Sequence, residues 1–158
     1  TAARAGAIAR LRVRDYYTDG RQWLFRFDEK GGKVRDIPCR HDLEGYIRDY
    51  IAAAGLTDGP HNAPLYRTAK GRTAELTDNP MTGKDVLRMV KRRFKDAGLP
   101  ANLTCHTFRA TTITNLLEQG VDIDDVRHLA GHSDCRTTKI YDRRAKEVTR
   151  NIVERISI

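Results

Sequence analysis

The sequence predicts an α+β fold, mainly helical, with a small antiparallel β-sheet near its start. Three observations predict it. Residues 22–27 and 34–38 alternate apolar and polar side chains on either side of Gly31-Gly32, the pattern of a hairpin whose turn needs positive φ. After residue 80, apolar residues recur every three or four positions, the period of helix faces packed on a core. The length, 158 residues, suits one domain, since a chain of about 150 residues buries roughly 70% of its unfolded surface.

Each element has its own reason. Thr1 to Leu11 is rich in Ala and reads as the end of a helix. Gln22-Trp23-Leu24-Phe25-Arg26-Phe27 and Val34-Arg35-Asp36-Ile37-Pro38 form the predicted hairpin around Lys30-Gly31-Gly32-Lys33. Asp42 to Ala54 carries Leu43, Tyr46, Ile47, Tyr50 and Ile51 on one stripe, with Gly55 as its stop. Thr57 to Asn79 is polar and holds Gly, Pro and Asn, a long connection with short extended pieces at most. Four helices are expected beyond it. A basic one ends before Gly98, and His106 to Glu118 ends at Gly120. Asp122 to Ala130 starts on a capping aspartate, and Ala145 to Ile156 places Val148, Ile152 and Ile156 on one side. A shorter helical turn is expected around Arg136 to Tyr141.

Composition narrows the partners. Lys and Arg number 29 against 21 Asp and Glu, giving a formal net charge of +8. Such a charge suits a polyanion when it is concentrated on one face. The segment Lys84 to Lys95 concentrates it: Val86, Leu87, Val90 and Phe94 keep helical spacing, so Arg88, Lys91, Arg92 and their neighbours share the outward face. No apolar run approaches the roughly 20 residues that span a bilayer. Cys39, Cys105 and Cys135 are few and scattered, which reads as reduced thiols and not as a disulfide framework. The chain opens on Thr1 and not on Met, so a longer protein is expected upstream. There is no Gly-rich phosphate loop and no Gly-x-Ser-x-Gly nucleophile turn. The acids occupy mixed-charge or capping positions, so chemistry on phosphate here is expected to use cations.

Two stretches concentrate chemistry. His106-Thr107-Phe108-Arg109 places an imidazole and a guanidinium three apart, on one helix face. His128-Leu129-Ala130-Gly131-His132 is followed nine residues later by Tyr141. On one unbroken helix His132 and Tyr141 would face opposite ways. Gly131 and the capping residues Ser133 and Asp134 break the helix, so imidazole and phenol converge from separate elements.

His106-x-x-Arg109, Leu129-Ala130-Gly131-His132 and Tyr141 together resemble the C-terminal signature of the tyrosine recombinase, or phage integrase, family. The segment Arg4 to Asp15 resembles the one that holds the family's first catalytic arginine, which falls on Arg4. The hairpin Lys30 to Pro38 resembles the one holding its catalytic lysine, which falls on Lys30. The similarity runs in the family's order from the first residue to about Arg144. It implies a recombinase catalytic domain over residues 1–158, without the N-terminal DNA-clamping domain and the first catalytic-domain helices. Three residues after Arg4, where the family commonly has an acid, this chain has Ala7.

The resemblance implies a site-specific recombinase or integrase that cuts and rejoins double-stranded DNA through a covalent 3′-phosphotyrosine. Its catalytic residues would be Arg4, Lys30, His106, Arg109, His132 and Tyr141. Apart from the resemblance, Lys33 and the basic-face cations Arg88, Lys91 and Arg92 are candidates for touching DNA, a plain solvated face being the alternative reading of that helix. Two guanidiniums suit the charge that gathers on a phosphodiester in its transition state. A free phenol has a pKa of about 10, so a neutral histidine is expected to take the proton of Tyr141. Either His106 or His132 suits that task on sequence alone. Lys30 would protonate the leaving 5′ oxygen. No cofactor and no metal is implied. A homo-tetramer on DNA is implied for the full-length protein, in a bacterial or phage cytoplasm without membrane contact; the apolar stripe of Ala145 to Ile156 either docks on a neighbouring protomer of it or packs on its own core. Two other readings use the same residues: a non-catalytic DNA-binding module of the same fold, and a type IB topoisomerase. A zinc site built from His128, His132, Cys105, His106 and Cys135 is a further alternative, though no close Cys-x-x-Cys pair supports it.

Overall fold

The computed structural model describes residues 2–29 and 32–143. Lys30, and the helix expected over Ala145 to Ile156, lie outside the described residues.

A short helix α1 (Ala5–Ala9) leads through a 3-10 turn at Val13–Asp15 into three strands. These are β1 (Tyr16–Thr18), β2 (Trp23–Glu29) and β3 (Lys33–Pro38), in one antiparallel sheet of order β1-β2-β3. Helix α2 (His41–Ala53) follows and stops at Gly55, whose φ of 63° suits glycine. The long connection contains a small hairpin, β4 (Arg67–Ala69) with β5 (Leu76–Pro80). Four helices then complete the described chain: α3 (Gly83–Asp96), α4 (Cys105–Glu118), α5 (Ile123–Ala130) and α6 (Cys135–Lys139).

Local sequence explains most boundaries. Thr82 and Asp85 form a reciprocal capping box at the start of α3, and Thr104 and Thr107 do the same for α4. Asp122 and Asp134 accept backbone N–H groups at the starts of α5 and α6. Gly131 ends α5 with φ 63°. On α3 the cations Arg88, Lys91 and Arg92 are exposed while Val86 and Phe94 are buried.

Two expectations need correction. The opening segment is a single helical stretch of five residues, and Arg4 before it is extended, with ψ 143°. The sheet also has three strands where the alternation marked two. Tyr16-Tyr17-Thr18 is too short to show a period, and it is held by cross-strand contacts, Tyr16 stacking on Trp23 at 4.6 Å.

The core falls into two clusters. One gathers Ala7, Leu11, Phe25, Phe27, Ile37, Ile47 and Leu65 from α1, the sheet, α2 and the connection. The other gathers Ala2, Ile113, Leu117, Val126 and Ala130, with Tyr141 packed against it. Each fully buried side chain such as Ile113 contributes roughly 1.5–3 kcal/mol. Two short stretches belong to both clusters. Ala2 and Ala7 sit in different cores, which puts Arg4 between them, and Leu129 packs on one core while Ala130 lies in the other. The candidate site lies along this seam.

Candidate active site

Arg4 caps α1 from an extended backbone and is exposed. It lines two cavities. The larger, of about 760 Å³, is bounded by Arg4, Arg10, Lys33, Arg35, Arg127 and His132 among others. The smaller, of about 390 Å³, is bounded by Arg4, Thr104, Cys105, His106 and Arg109 among others. Among the described residues neither cavity is lined by a carboxylate. Such cavities attract anions, because cations in a concave wall reinforce one another's field.

The three-residue spacing of His106 and Arg109 on α4 turns both toward the smaller cavity. His106 is exposed near the helix start, whereas Arg109 is buried. One terminal nitrogen of Arg109 donates to the carbonyl of Ala2, and the other donates to the carbonyl of Ala130 at 2.6 Å. A buried guanidinium needs such partners, since an unpaired buried charge is heavily penalised. They also hold its plane against the seam between the two cores.

His132 and Tyr141 come from either side of α6. Gly131 ends α5 and Asp134 opens α6, so the chain turns between them. The two rings lie nearly parallel, 6.1 Å apart between centroids and 13° from coplanar. His132 is buried, and its Nδ1 is 2.9 Å from the hydroxyl of Thr138, which is fully buried on α6. The hydroxyl of Tyr141 is 3.1 Å from Nε2 of His106. Thr114 donates to the Tyr141 carbonyl at 3.4 Å and ties this end of the chain to α4.

A sequence model of the phage integrase family matches residues 1–147. The chain belongs to that family.

Relatives of the phage integrase chain carry the name tyrosine recombinase. The XerD protein of Pseudomonas putida is 34% identical over 130 residues, covering 80% of this chain and 41% of that protein. The XerA protein of Pyrococcus horikoshii is 29% identical over 155 residues, 98% of this chain and 50% of the relative. Among solved structures, XerA recombinase superposes with a TM-score of 0.72 at 21% identity, over 98% of this chain and 52% of the other. The Tn1549 transposon integrase, in complex with transposon right end DNA, gives a TM-score of 0.69 at 21% identity, over 98% and 53%. These structures share the fold. The chain spans about half the length, or less, of the relatives it matches.

Five of the six residues predicted as catalytic in this integrase-family chain are described: Arg4, His106, Arg109, His132 and Tyr141. The structure gathers them along the seam through shared cavity walls and the contacts above. The sixth, Lys30, lies outside the described residues. Lys33 lines the larger cavity with Arg4 and His132, while Arg88, Lys91 and Arg92 line neither cavity and stand on the outward face of α3. Ala7, which replaces the family's common acid, is buried in the core beneath Arg4. The zinc alternative finds no assembled ligand set: among the described residues, no three His, Cys, Asp or Glu side chains converge on a metal position. No helix among the described residues is long and apolar enough to cross a membrane.

Sequence reasoning overlooked Thr138 and Arg35. Thr138 leaves no local signal, since a hydroxyl at that helical position is common on surfaces. Arg35 did leave one: it occupies an inward phase of a strand whose next inward residue is Ile37.

Proposed function

We propose that this chain is the catalytic portion of a longer site-specific DNA recombinase that cuts and rejoins double-stranded DNA through a covalent 3′-phosphotyrosine intermediate. The observation that carries this reading is the 3.1 Å contact between the Tyr141 hydroxyl and His106, beside cavities walled by Arg4, Arg109 and His132. Membership of the phage integrase family, and relatives named tyrosine recombinases, support it.

In this reading the Tyr141 oxygen attacks the scissile phosphorus. Its O–P bond forms as the bond from phosphorus to the 5′ oxygen breaks, and that electron pair leaves with the 5′ oxygen. His106, as a neutral imidazole, accepts the phenolic proton through Nε2. Arg4 and Arg109 hold the non-bridging oxygens, where charge gathers in the transition state, and His132 donates a further hydrogen bond there. Lys30 supplies the proton to the departing 5′ oxygen. The phosphotyrosine ester keeps the energy of the broken bond, so a returning 5′ hydroxyl reverses the steps and reseals the strand. Lys33, Arg88, Lys91 and Arg92 contact the DNA backbone, and the full-length protein acts as a tetramer on its DNA.

The test is covalent capture. Full-length protein is incubated with a randomised pool of nicked duplexes, and detergent-resistant protein–DNA adducts are isolated and sequenced. An adduct whose DNA converges on one site is expected. Tyr141→Phe should abolish it while leaving binding to the selected duplex within about twofold, since only one hydroxyl is removed. Equal adduct yields from the variant and the parent protein would sink the proposal. Relaxed plasmid without any recombinant product would instead point to a topoisomerase.

A further inference from the structure

Arg35 is buried in the wall of the larger cavity, whereas Arg4 and Arg10 of the same wall are exposed. The alternation of β3 gives it an inward position: it is 7% exposed and Ile37 is 5% exposed, whereas Val34 is 56% exposed. A guanidinium is an expensive occupant for such a place unless it is well hydrogen-bonded. One of its terminal nitrogens donates to the carbonyl of His128 at 2.9 Å and to that of Leu129 at 2.5 Å. The guanidinium also lies 5.9 Å from the ring centroid of Phe27, its cross-strand neighbour.

Those carbonyls belong to the last turn of α5, whose final four carbonyls lack helical partners and carry the negative end of the helix dipole. All four find donors elsewhere. The N–H of His132 donates to Arg127 at 3.1 Å and that of Gly131 to His128 at 3.0 Å, closing the turn through the left-handed glycine. Leu129 accepts from Arg35, and Ala130 accepts from Arg109 at 2.6 Å. Two guanidiniums therefore complete one helix end, two residues before His132. They arrive from opposite sides of the seam. Arg35 lies on the strand that gives Ile37 to the sheet-side core, and Arg109 on the helix that gives Ile113 to the other.

We propose that Arg35 is a positioning residue for the clamp on the scissile phosphate: it fixes the end of α5 against the sheet, and so sets where Arg109 and His132 stand relative to Arg4. This inference rests on the recombinase reading above. A phosphate held by Arg4, Arg109 and His132 is held from both cores. Arg4 precedes α1, which packs on the sheet side through Ala7, while Arg109 and His132 belong to α4 and to the turn after α5. In the attack by Tyr141 charge gathers on the non-bridging oxygens, and groups aimed there act only if their placement is fixed beforehand. An error of about 1 Å in placing a group can cost on the order of 100-fold in rate. Without Arg35 the carbonyl of Leu129 loses this donor and the end of α5 loses its tie to β3. The carbonyl of Ala130, one residue on, then shifts, and Arg109 with it.

The experiment uses full-length protein and the selected duplex in two forms, one natural and one with a methyl group replacing a non-bridging oxygen of the scissile phosphate. The methyl form is uncharged, so less charge gathers for the arginines to offset. Arg35→Gln should slow single-turnover adduct formation roughly 100-fold on the natural duplex and less than about 5-fold on the methyl duplex, each against the parent protein. Arg109→Gln should show the same pattern, and combining the two should be no worse than Arg109→Gln alone, as for residues acting through one step. Equal losses on both duplexes would mean a merely structural arginine and would overturn the inference. So would no loss on either, or losses that multiply in the double variant. If thermal melting shows Arg35→Gln unfolded, Arg35→Lys is judged by the same two duplexes, since it keeps a cation but loses the planar guanidinium. A lysine variant that is also unfolded would make the arginine structural and overturn the inference as well. Parent protein that forms no adduct with either duplex would overturn the recombinase reading itself and this inference with it.

Discussion

The hydroxyl of Tyr141 lies 3.1 Å from Nε2 of His106, although 35 residues separate the two along the chain. The contact exists because His106 stands at the start of α4, while Tyr141 follows α6 and packs on the core that α4 and α5 share. A phenol and an imidazole at this distance are within reach for direct proton transfer.

Removing the imidazole should therefore affect chemistry far more than folding. His106→Ala is expected to slow adduct formation by about 10²- to 10⁴-fold, the usual range for a lost general base. His106 is exposed, so its melting temperature should stay close to that of the parent. Single-turnover adduct kinetics and a thermal melt check the two halves of this expectation. An unaffected rate would remove His106 from the proton path.

The bond between Thr138 and His132 makes a second prediction. Thr138→Val keeps the shape of a fully buried side chain but removes the hydroxyl 2.9 Å from the imidazole Nδ1. A buried polar atom left without its partner costs about 1–3 kcal/mol. Urea denaturation should show that loss, and adduct formation should fall further because the ring is no longer oriented. A variant as stable and as active as the parent would show that the hydroxyl does not hold His132.

Gly131 supplies a third. Its φ of 63° ends α5 one residue before His132. An L side chain in that left-handed region costs roughly 1–2 kcal/mol. Gly131→Ala should lower the denaturation midpoint accordingly. It should also reduce catalysis beyond that loss, because relief of the strain moves His132 and the carbonyls that hold Arg35. Retained activity at full stability would contradict the need for this turn.

Alkaline pH gives a fourth. Burial first, then the neighbouring Cys39 thiolate, pushes the Tyr16 phenol up to about 12. Burial first, then Tyr50, pushes Tyr66 up to about 12 as well. Both are raised above the ordinary value of 10.0, so the folded state disfavours ionisation relative to the unfolded chain. Their contribution to stability is complete below pH 10 and is lost between pH 10 and 12. Urea midpoints across that interval should fall for the parent and fall less for a Tyr16→Phe, Tyr66→Phe double variant. Parallel curves would place the alkaline transition elsewhere.

The outward face of α3 gives a fifth. Arg88, Lys91 and Arg92 are exposed, and Arg88 is partly engaged by Asp85 at 3.4 Å. If all three touch backbone phosphates, replacing them with Ala should reduce the slope of log K against log salt by nearly 3, at about 0.9 per contact. Fluorescence anisotropy at several salt concentrations measures it. An unchanged slope would make this face a solvated one.

Some of this was legible in one dimension and some was not. Helix boundaries were, because Gly55, Gly120 and Gly131 stop helices and Asp122 starts one through chemistry confined to a few residues. The pairing of His106 with Arg109 was legible for the same reason, since helical period alone puts them on one side. Strand β1 was not: three residues carry no period, and their place depends on Trp23 and Phe25 lying opposite. Arg35 lay between these cases. Its inward phase on β3 was readable, but its partners, the carbonyls of His128 and Leu129, are 93 and 94 residues away.

The sequence by itself determined which chemical groups are available, in what order, and where helices and turns interrupt them, because side-chain identity, capping and backbone freedom act over a few residues. Only the tertiary structure decided that Tyr141 reaches His106 rather than water, that Thr138 holds His132, and that the end of α5 joins Arg35 to Arg109. Those contacts arise where two separately packed cores meet, and the geometry of such a seam follows from how both clusters fill space, which no local pattern records.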